Sequence, residues 1–281
     1  YITFLKREVT IIMNKHLKHL LLTMCIFVFG FALTGCGIAT TTSVKITSAT
    51  KASCTVSIGF DDEALNALAQ NMDSSKTELI KEMKKSGAKY TKKKLDGIYY
   101  NIFYSTIHNK NLSDIEKLLS EAGYTNVCVS PKYFFATLDP KSAQKGSSYG
   151  PGSSINLTDM DDISFYMSMK ITFKSKVNFT NGTVSKDGKT VSWVIKDAEK
   201  VTRLCASTTK VNKTARSKSV VNGKTYKPGK KLTVSNPKSL AKMKLDGKAV
   251  KPGKAVLKKG THKLIIWSKD GKVQRVTFKI K

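Results

Sequence analysis

Three Gly-Lys pairs stand 24 residues apart, at Gly223-Lys224, Gly247-Lys248 and Gly271-Lys272, and Asn or Asp precedes each one. The first two continue alike, as Lys227-Pro228-Gly229-Lys230 and Lys251-Pro252-Gly253-Lys254. Asn-Gly and Asp-Gly favour two-residue hairpin turns, whereas Pro-Gly supplies a φ of about −65° followed by the positive φ of a type II turn. Turns this frequent leave room only for short strands. The runs between them, Leu232-Thr233-Val234, Leu264-Ile265-Ile266-Trp267 and Val273 to Ile280, alternate apolar with polar. Residues 207–281 therefore predict a small antiparallel all-β, sandwich-like module of about six or seven strands.

Charge marks the same segment. Of the formal net charge of +29, residues 207–281 carry +20, from 22 Lys or Arg against 2 acids, and residues 37–206 carry only +6. The break near Ser207 is the expected domain boundary. Self-repulsion of this size costs stability without helping a fold, which points to a polyanionic partner. The turns place Lys224, Lys227, Lys230, Lys231, Lys248, Lys251 and Lys254 on solvated loops, which suits a polymer or a surface better than a small substrate.

The amino-terminal end has the three parts of an export signal. A basic start (Lys15, His16, Lys18, His19) leads into an apolar run from Leu20 to Leu33, and small residues follow before Cys36. Leu33-Thr34-Gly35-Cys36 resembles the lipobox of bacterial lipoproteins. The resemblance implies that Cys36 receives a diacylglycerol (and so palmitate-type chains) and becomes the first mature residue after cleavage behind Gly35. The apolar run, at 14 residues, is shorter than the roughly 20 needed for a transmembrane helix. Two acyl chains hold stably where one holds marginally. Residues 1–12 precede Met13, fit no export signal and are read as lying upstream of the true start. The expected location is the outer, extracytoplasmic face of the cell membrane.

Residues 37–206 predict an α+β domain, an antiparallel sheet with two or three helices on one face. Thr40 to Ser43 reads as a short tether. Residues 44–60 alternate as a strand or hairpin, and helical spacing runs from Asp61 to Ser86, with a Ser75/Glu78 capping box that restarts the helix and Gly87 to end it. Gly97 to Ile107 is an aromatic strand, and Ser113 with Glu116 suggests a cap for a second amphipathic helix that Gly123 stops. Strands are expected at Val127 to Leu138 and Ile163 to Phe173. Between them the Gly, Ser and Pro cluster from Gly146 to Ser154 reads as a loop, not a phosphate cradle. Asn181-Gly182 and Asp187-Gly188 then signal two tight hairpins, with Trp193 on the returning strand.

Two resemblances bear on these segments. Met169-Lys170-Ile171-Thr172-Phe173, Val177, Asn181-Gly182 and Val191-Ser192-Trp193 look like the end of the LppM-type domain of bacterial lipoproteins, and residues 37–206 are similar to it in element order. Lys174 stands where that family usually has proline. The resemblance implies an envelope lipoprotein and transfers no catalytic residue. The Gly260-Thr261-His262-Lys263-Leu264 run, ending in Asp270-Gly271-Lys272 before a last strand, is similar to bacterial immunoglobulin-like envelope modules.

Catalysis finds few candidates. Asp61-Asp62-Glu63 and Asp159 with Asp161-Asp162 sit where helix caps or turns favour carboxylates, and no serine lies in a nucleophile-elbow pattern. Only His108 and His262 remain after processing, too few for a zinc cluster or a Cys-His pair. Cys54, Cys128 and Cys205 form either three buried thiols or one bridge and a spare. The aromatic set Tyr99, Tyr100, Phe103, Tyr104, Tyr133, Phe134 and Phe135 reads as sheet packing, with a sugar or lipid groove as the alternative.

The sequence thus suggests a non-catalytic, lipid-anchored envelope protein without metal or cofactor. Its Lys-rich module would bind or organise an anionic cell-wall polymer such as teichoic acid, or anionic lipid. Nucleic acid is not expected, because the basic turns lack interleaved aromatics. The alternative is a ligand carrier or hydrolase using a cleft in 37–206.

Overall fold

The computed structural model describes residues 37–138, 164–195, 200–211 and 213–281. Leu33, Thr34, Gly35 and Cys36, the Gly146–Ser154 cluster, and Asp159, Asp161 and Asp162 lie outside the described residues. The mixed α+β class is observed, with strands predominating.

The first strand, β1 (Gly37–Ile46), turns back into β2 (Lys51–Phe60). Thr40 to Ser43 are therefore not a tether. They lie in mid-strand, with β2 on one side and β7 (Ser164–Thr172) on the other. Helix α1 (Asp62–Asn71) is capped by Asp61, whose side chain accepts the Ala64 N–H at 2.7 Å. Helix α2 (Lys76–Lys85) begins at the expected Ser75/Glu78 capping box and ends before Gly87, φ 94°.

β3 (Lys89–Leu95) and β4 (Ile98–Asn111) form a hairpin closed by Asp96-Gly97, at φ 48° and 91°. Helix α3 (Leu112–Glu121) follows directly. Its N-cap is Asn111 with no side-chain cap bond, so the expected Ser113/Glu116 cap does not form. β4 stays paired with β2 as far as Asn111, and the Leu112 N–H reaches Thr50 O, which starts the helix before Ser113. Glu116 is free for another task.

Then come β5 (Tyr124–Val129), β6 (Tyr133–Leu138), β7, β8 (Phe179–Thr180), β9 (Thr183–Val184), β10 (Thr190–Ile195) and β11 (Thr202–Ser207). They divide between two sheets rather than the single one expected. One runs β3-β4-β2-β1-β7-β10-β9, with β1 and β7 parallel, and the other β5-β6-β11-β8. Strand residues alternate faces. At one end of the larger sheet Ile38, Phe60 and Phe103 meet α1 and α2, while at the other Val44, Ile46 and Cys54 meet α3 and the smaller sheet.

Asn181-Gly182 does not close a hairpin either. It carries the chain from β8 in the smaller sheet to β9 in the larger. The Asn181 amide ties the two sheets: Nδ2 donates to Arg203 O (2.6 Å), and Oδ1 accepts from Trp193 Nε1 (2.8 Å) and from the Cys205 N–H (3.0 Å). Gly182 is required because a Cβ there would lie 2.6 Å from Trp193 Nε1.

β11 ends at Ser207, and the later strands pair only among themselves. They are β12 (Arg216–Ser217), β13 (Thr225–Tyr226), β14 (Lys230–Lys231), β15 (Val234–Ser235), β16 (Leu240–Leu245), β17 (Lys248–Ala249), β18 (Ala255–Val256), β19 (Gly260–Ser268) and β20 (Val273–Ile280). Five form a sheet, β13-β20-β19-β16-β17, in which β13 and β20 run parallel. Asp246-Gly247 closes a two-residue hairpin at φ 50° and 80°. Asp270-Gly271 lies in a longer β19–β20 connection, and Asn222-Gly223 leads into the parallel strand β13, so only one of the three repeat turns is the expected hairpin.

The module does not stand apart from the first domain. Its five-stranded sheet turns Leu264, Ile266, Val276 and Phe278 to its own core, and Ile265, Trp267 and Val273 to Cys128, Phe135 and Cys205 on the outer face of the smaller sheet. Tyr133 Oη donates to Ala241 O (2.5 Å) and Trp267 Nε1 to Asn126 O (3.2 Å). The sheets stack, each layer about 10 Å from the next.

Candidate functional site

The Lys-Pro-Gly-Lys repeats meet across a pseudo-twofold axis. The Gly229 N–H donates to Val256 O (2.9 Å) and the Gly253 N–H to Leu232 O (2.7 Å); each acceptor lies three residues beyond the glycine of the other turn. Between them β14 pairs antiparallel with β18, Lys230 opposite Val256 and Lys231 opposite Ala255. Gly229 and Gly253 hold φ of 89° and 91°, the positive φ that Pro-Gly anticipates.

This ribbon gathers five of the seven expected lysines. Lys227, Lys231, Lys251 and Lys254 are exposed, while Lys230 is half-buried with Nζ 4.9 Å from the centre of the Tyr226 ring. Lys224 and Lys248 are exposed as well, but Lys224 precedes β13 and Lys248 begins β17, at opposite edges of the five-stranded sheet. The inward Leu232 and Val256 sit on the module core. Because Trp267 and Ile265 use the other face of that sheet, the ribbon covers the side turned away from the first domain.

No carboxylate of the module is left to neutralise these lysines. Its two acids, Asp246 and Asp270, are both engaged. Asp270 accepts from Thr214 Oγ1 (2.6 Å). Asp246 binds the Lys263 N–H (2.8 Å) and His262 Nδ1 (2.7 Å), and His262 Nε2 lies 2.7 Å from Lys258 O. Both ring nitrogens thus face acceptors, which the doubly protonated imidazolium satisfies. Burial of the ring opposes its charge, but the Asp246 carboxylate and the Lys258 carbonyl outweigh it and raise the His262 pKa above its ordinary value.

The other described candidate groups take part in packing, capping and ion pairs, Tyr99 excepted. Tyr100, Phe103, Phe134 and Phe135 are buried in sheet packing, and Tyr99 is the exposed member of that set at 57%. Asp61 caps α1, and Asp62 joins Lys76, Lys92 and Asn101, whose hydrogen bonds hold its carboxyl far below the usual carboxylate range. Cys54, Cys128 and Cys205 are all free and buried. Cys128 and Cys205 flank Phe135 on neighbouring strands, two strand spacings apart or about 9.6 Å, too far to bridge. Among the described residues no group of three or more His, Cys, Asp or Glu is placed to hold a metal.

Two features escaped the sequence. One is the interdomain contact of Glu116 with Lys242, because the Ser113/Glu116 spacing is that of a helix cap. The other is the Gly37 N–H, which donates to Asp61 Oδ2 at 2.5 Å while Gly37 O accepts the Asp61 N–H at 3.0 Å. That pair pins the first described residue to the start of α1.

No protein-family signature matches the chain, and no curated protein matches it in sequence. Among solved structures, the chain is similar to the folded domain of LppM from Mycobacterium tuberculosis, with 12% identity and a TM-score of 0.34 over 63% of this chain and 90% of that one. A second is SGBP-B of the mixed-linkage glucan utilization locus of Bacteroides ovatus, solved with a heptasaccharide, with 8% identity and a TM-score of 0.17 over 83% of this chain and 54% of that one. Among the described residues no helix is long and apolar enough to cross a membrane.

Proposed function

We propose that this protein is a non-catalytic envelope lipoprotein, anchored through a diacylated Cys36 after cleavage behind Gly35, whose lysine ribbon binds an anionic cell-wall polymer. The observation that carries the reading is the ribbon's placement. Lys227, Lys230, Lys231, Lys251 and Lys254 belong to one two-stranded ribbon and its two turns, on the side of the module facing away from the first domain, and all but the half-buried Lys230 are exposed. A repeating anion spaced along a flexible chain can meet several of these ammonium groups at once, and each contact releases counter-ions.

Distance favours polymer over lipid. The smaller sheet, on which the module rests, packs on the Val44 and Ile46 end of β1, seven to nine residues or about 23 to 30 Å along the strand from Gly37. Attraction to an anionic leaflet decays over a Debye length of about 8 Å. Charge on the ribbon therefore gains little from the membrane that holds the lipid.

The test uses the chain from residue 37 to 281 with purified teichoic acid and with anionic vesicles, titrated at several salt concentrations. Replacing Lys227, Lys231, Lys251 and Lys254 by Gln is expected to weaken polymer binding and to flatten its salt dependence. Unchanged polymer binding by that variant would overturn the reading, and binding to vesicles alone would move it to lipid. Point substitution is the cleaner test, since removing 207–281 uncovers Cys128, Phe135 and Cys205.

A further inference from the structure

The end of the first domain that carries Gly37 has its own exposed run of lysines, on the hairpin whose turn holds Asp96 and near the Asp61-Asp62-Glu63 start of α1. Cross-strand register aligns Ile38 with Phe60, Phe60 with Asn101 and Asn101 with Lys92. One step towards the chain start, at the level of Gly37, stand Tyr100 and Lys93, and one step further stand Tyr99 and Lys94. The β3–β4 hairpin then adds the pair Leu95 and Ile98 and its Asp96-Gly97 turn. It overshoots Gly37 by about 7 to 10 Å, two to three residues of strand.

The overshoot has the composition of a membrane-interface element. Lys92, Lys93 and Lys94 are consecutive and exposed, and Tyr99 is 57% exposed with Lys94 Nζ 5.4 Å from its ring centre. Tyrosine places its ring at headgroup depth with its hydroxyl in water, and lysine spans apolar surface with its stem while its ammonium meets phosphate. Asp62, at the start of α1, is already paired with Lys76 and Lys92.

We propose that the tip of the β3–β4 hairpin lies on the headgroups of the leaflet that holds the lipid of Cys36, with Tyr99 at the interface and Lys93 and Lys94 on anionic phosphates. This rests on the lipid anchor of the proposed function. Gly37 is fixed to Asp61 one residue beyond the anchored cysteine, so the anchor holds the hairpin tip within reach of the surface and the lysines decide whether it rests there. A lipid at Cys36 enters the bilayer on the side where Tyr99 and Lys94 project. The strands then run away from the membrane, and β1 alone, ten residues long, carries the far end about 30 Å out.

The test supplies the anchor chemically, which separates it from the question of lipidation in the cell. The chain from Cys36 to Lys281 is coupled through Cys36 to a maleimide lipid in vesicles containing phosphatidylglycerol, the other thiols being buried. Tyr99→Trp is the reporter, read by emission wavelength and by quenching with brominated phospholipid; Val221→Trp, at an exposed site in the module, is the control. Expected are a blue shift and quenching at position 99, none at 221, and loss of the position-99 signal with Lys93→Gln and Lys94→Gln or in phosphatidylcholine vesicles. An unshifted, unquenched indole at 99 would overturn the proposal, as would equal quenching at both positions or a signal indifferent to the lysines. Lipidation itself is tested apart from this, by release of Cys36→Ala protein from cells.

Discussion

Glu116 on α3 and Lys242 on β16 form an ion pair at 2.7 Å, both about four-fifths buried, and the same carboxylate accepts the Val129 N–H at 3.0 Å. One side chain thus joins a helix, a strand of the first domain and a strand of the module, 126 residues further along the chain. The basic module is docked, and what it presents to the outside is decided by which face it docks with.

Replacing Glu116 by Ala strands a partly buried ammonium and the Val129 N–H. A loss of about 1–3 kcal/mol is expected, the cost of leaving such groups unmet. Urea unfolding of Glu116→Ala beside the double variant with Lys242→Met checks it, and the second change is expected to recover part of the loss.

Trp267 fills the contact between the sheets with only 6% of its surface exposed. Trp267→Ala is expected to cost about 3–5 kcal/mol. Protease cleavage between the first domain and the module should rise in parallel, whereas an interface of no energetic weight would leave the digestion pattern unchanged.

Gly182→Ala places a methyl 2.6 to 2.7 Å from Trp193 Nε1 and Cε2 and from Val191 Cγ1. The ring must shift away from Asn181 Oδ1, so about 1–3 kcal/mol of stability is lost and the near-ultraviolet signal of Trp193 changes. Thermal melts with near-ultraviolet circular dichroism read both effects.

His262 makes the stability of the module depend on pH. Its folded pKa is raised, so the stabilising charge is fully present below the unfolded value of about 6.5 and is lost as pH rises through the folded pKa. Melting temperature should fall from about pH 6.5 upward, and His262→Gln should flatten that slope. A slope unchanged by the substitution would rule out this histidine as its source.

Burial raises the thiols of Cys54 and Cys128 to about 12 and that of Cys205 to about 11. Thiolate is the reactive form. In the native protein starting at residue 37, all three should resist a disulfide reagent at neutral pH and react together on unfolding, as absorbance of the released chromophore reports.

Local signals were legible where they are satisfied locally. The Ser75/Glu78 box, the stop at Gly87 and the positive φ of Gly229 and Gly253 each depend on a few neighbouring residues. The misread signals answer to distant partners. Glu116 has the spacing of a capping residue, but Val129 and Lys242 claim its carboxylate. Asn181-Gly182 has the composition of a hairpin turn, but Trp193 and Cys205 claim the asparagine oxygen. β3 carries no strand signal of its own because four of its seven residues are lysines, Lys89, Lys92, Lys93 and Lys94, on an exposed edge where no apolar pattern is needed.

The sequence by itself determined the mixed α+β class, the turn-rich β character of residues 207–281 and the concentration of charge there, because turn chemistry and composition are properties of short stretches. Tertiary structure alone decided that β1 begins at Gly37 without a tether, that the module rests on the smaller sheet through Trp267, and that five of seven lysines come together on one two-stranded ribbon. Those outcomes depend on strand register and on which sheet face is covered. Both are set by pairings between residues far apart in the chain, and a single-residue change of register would exchange the two faces.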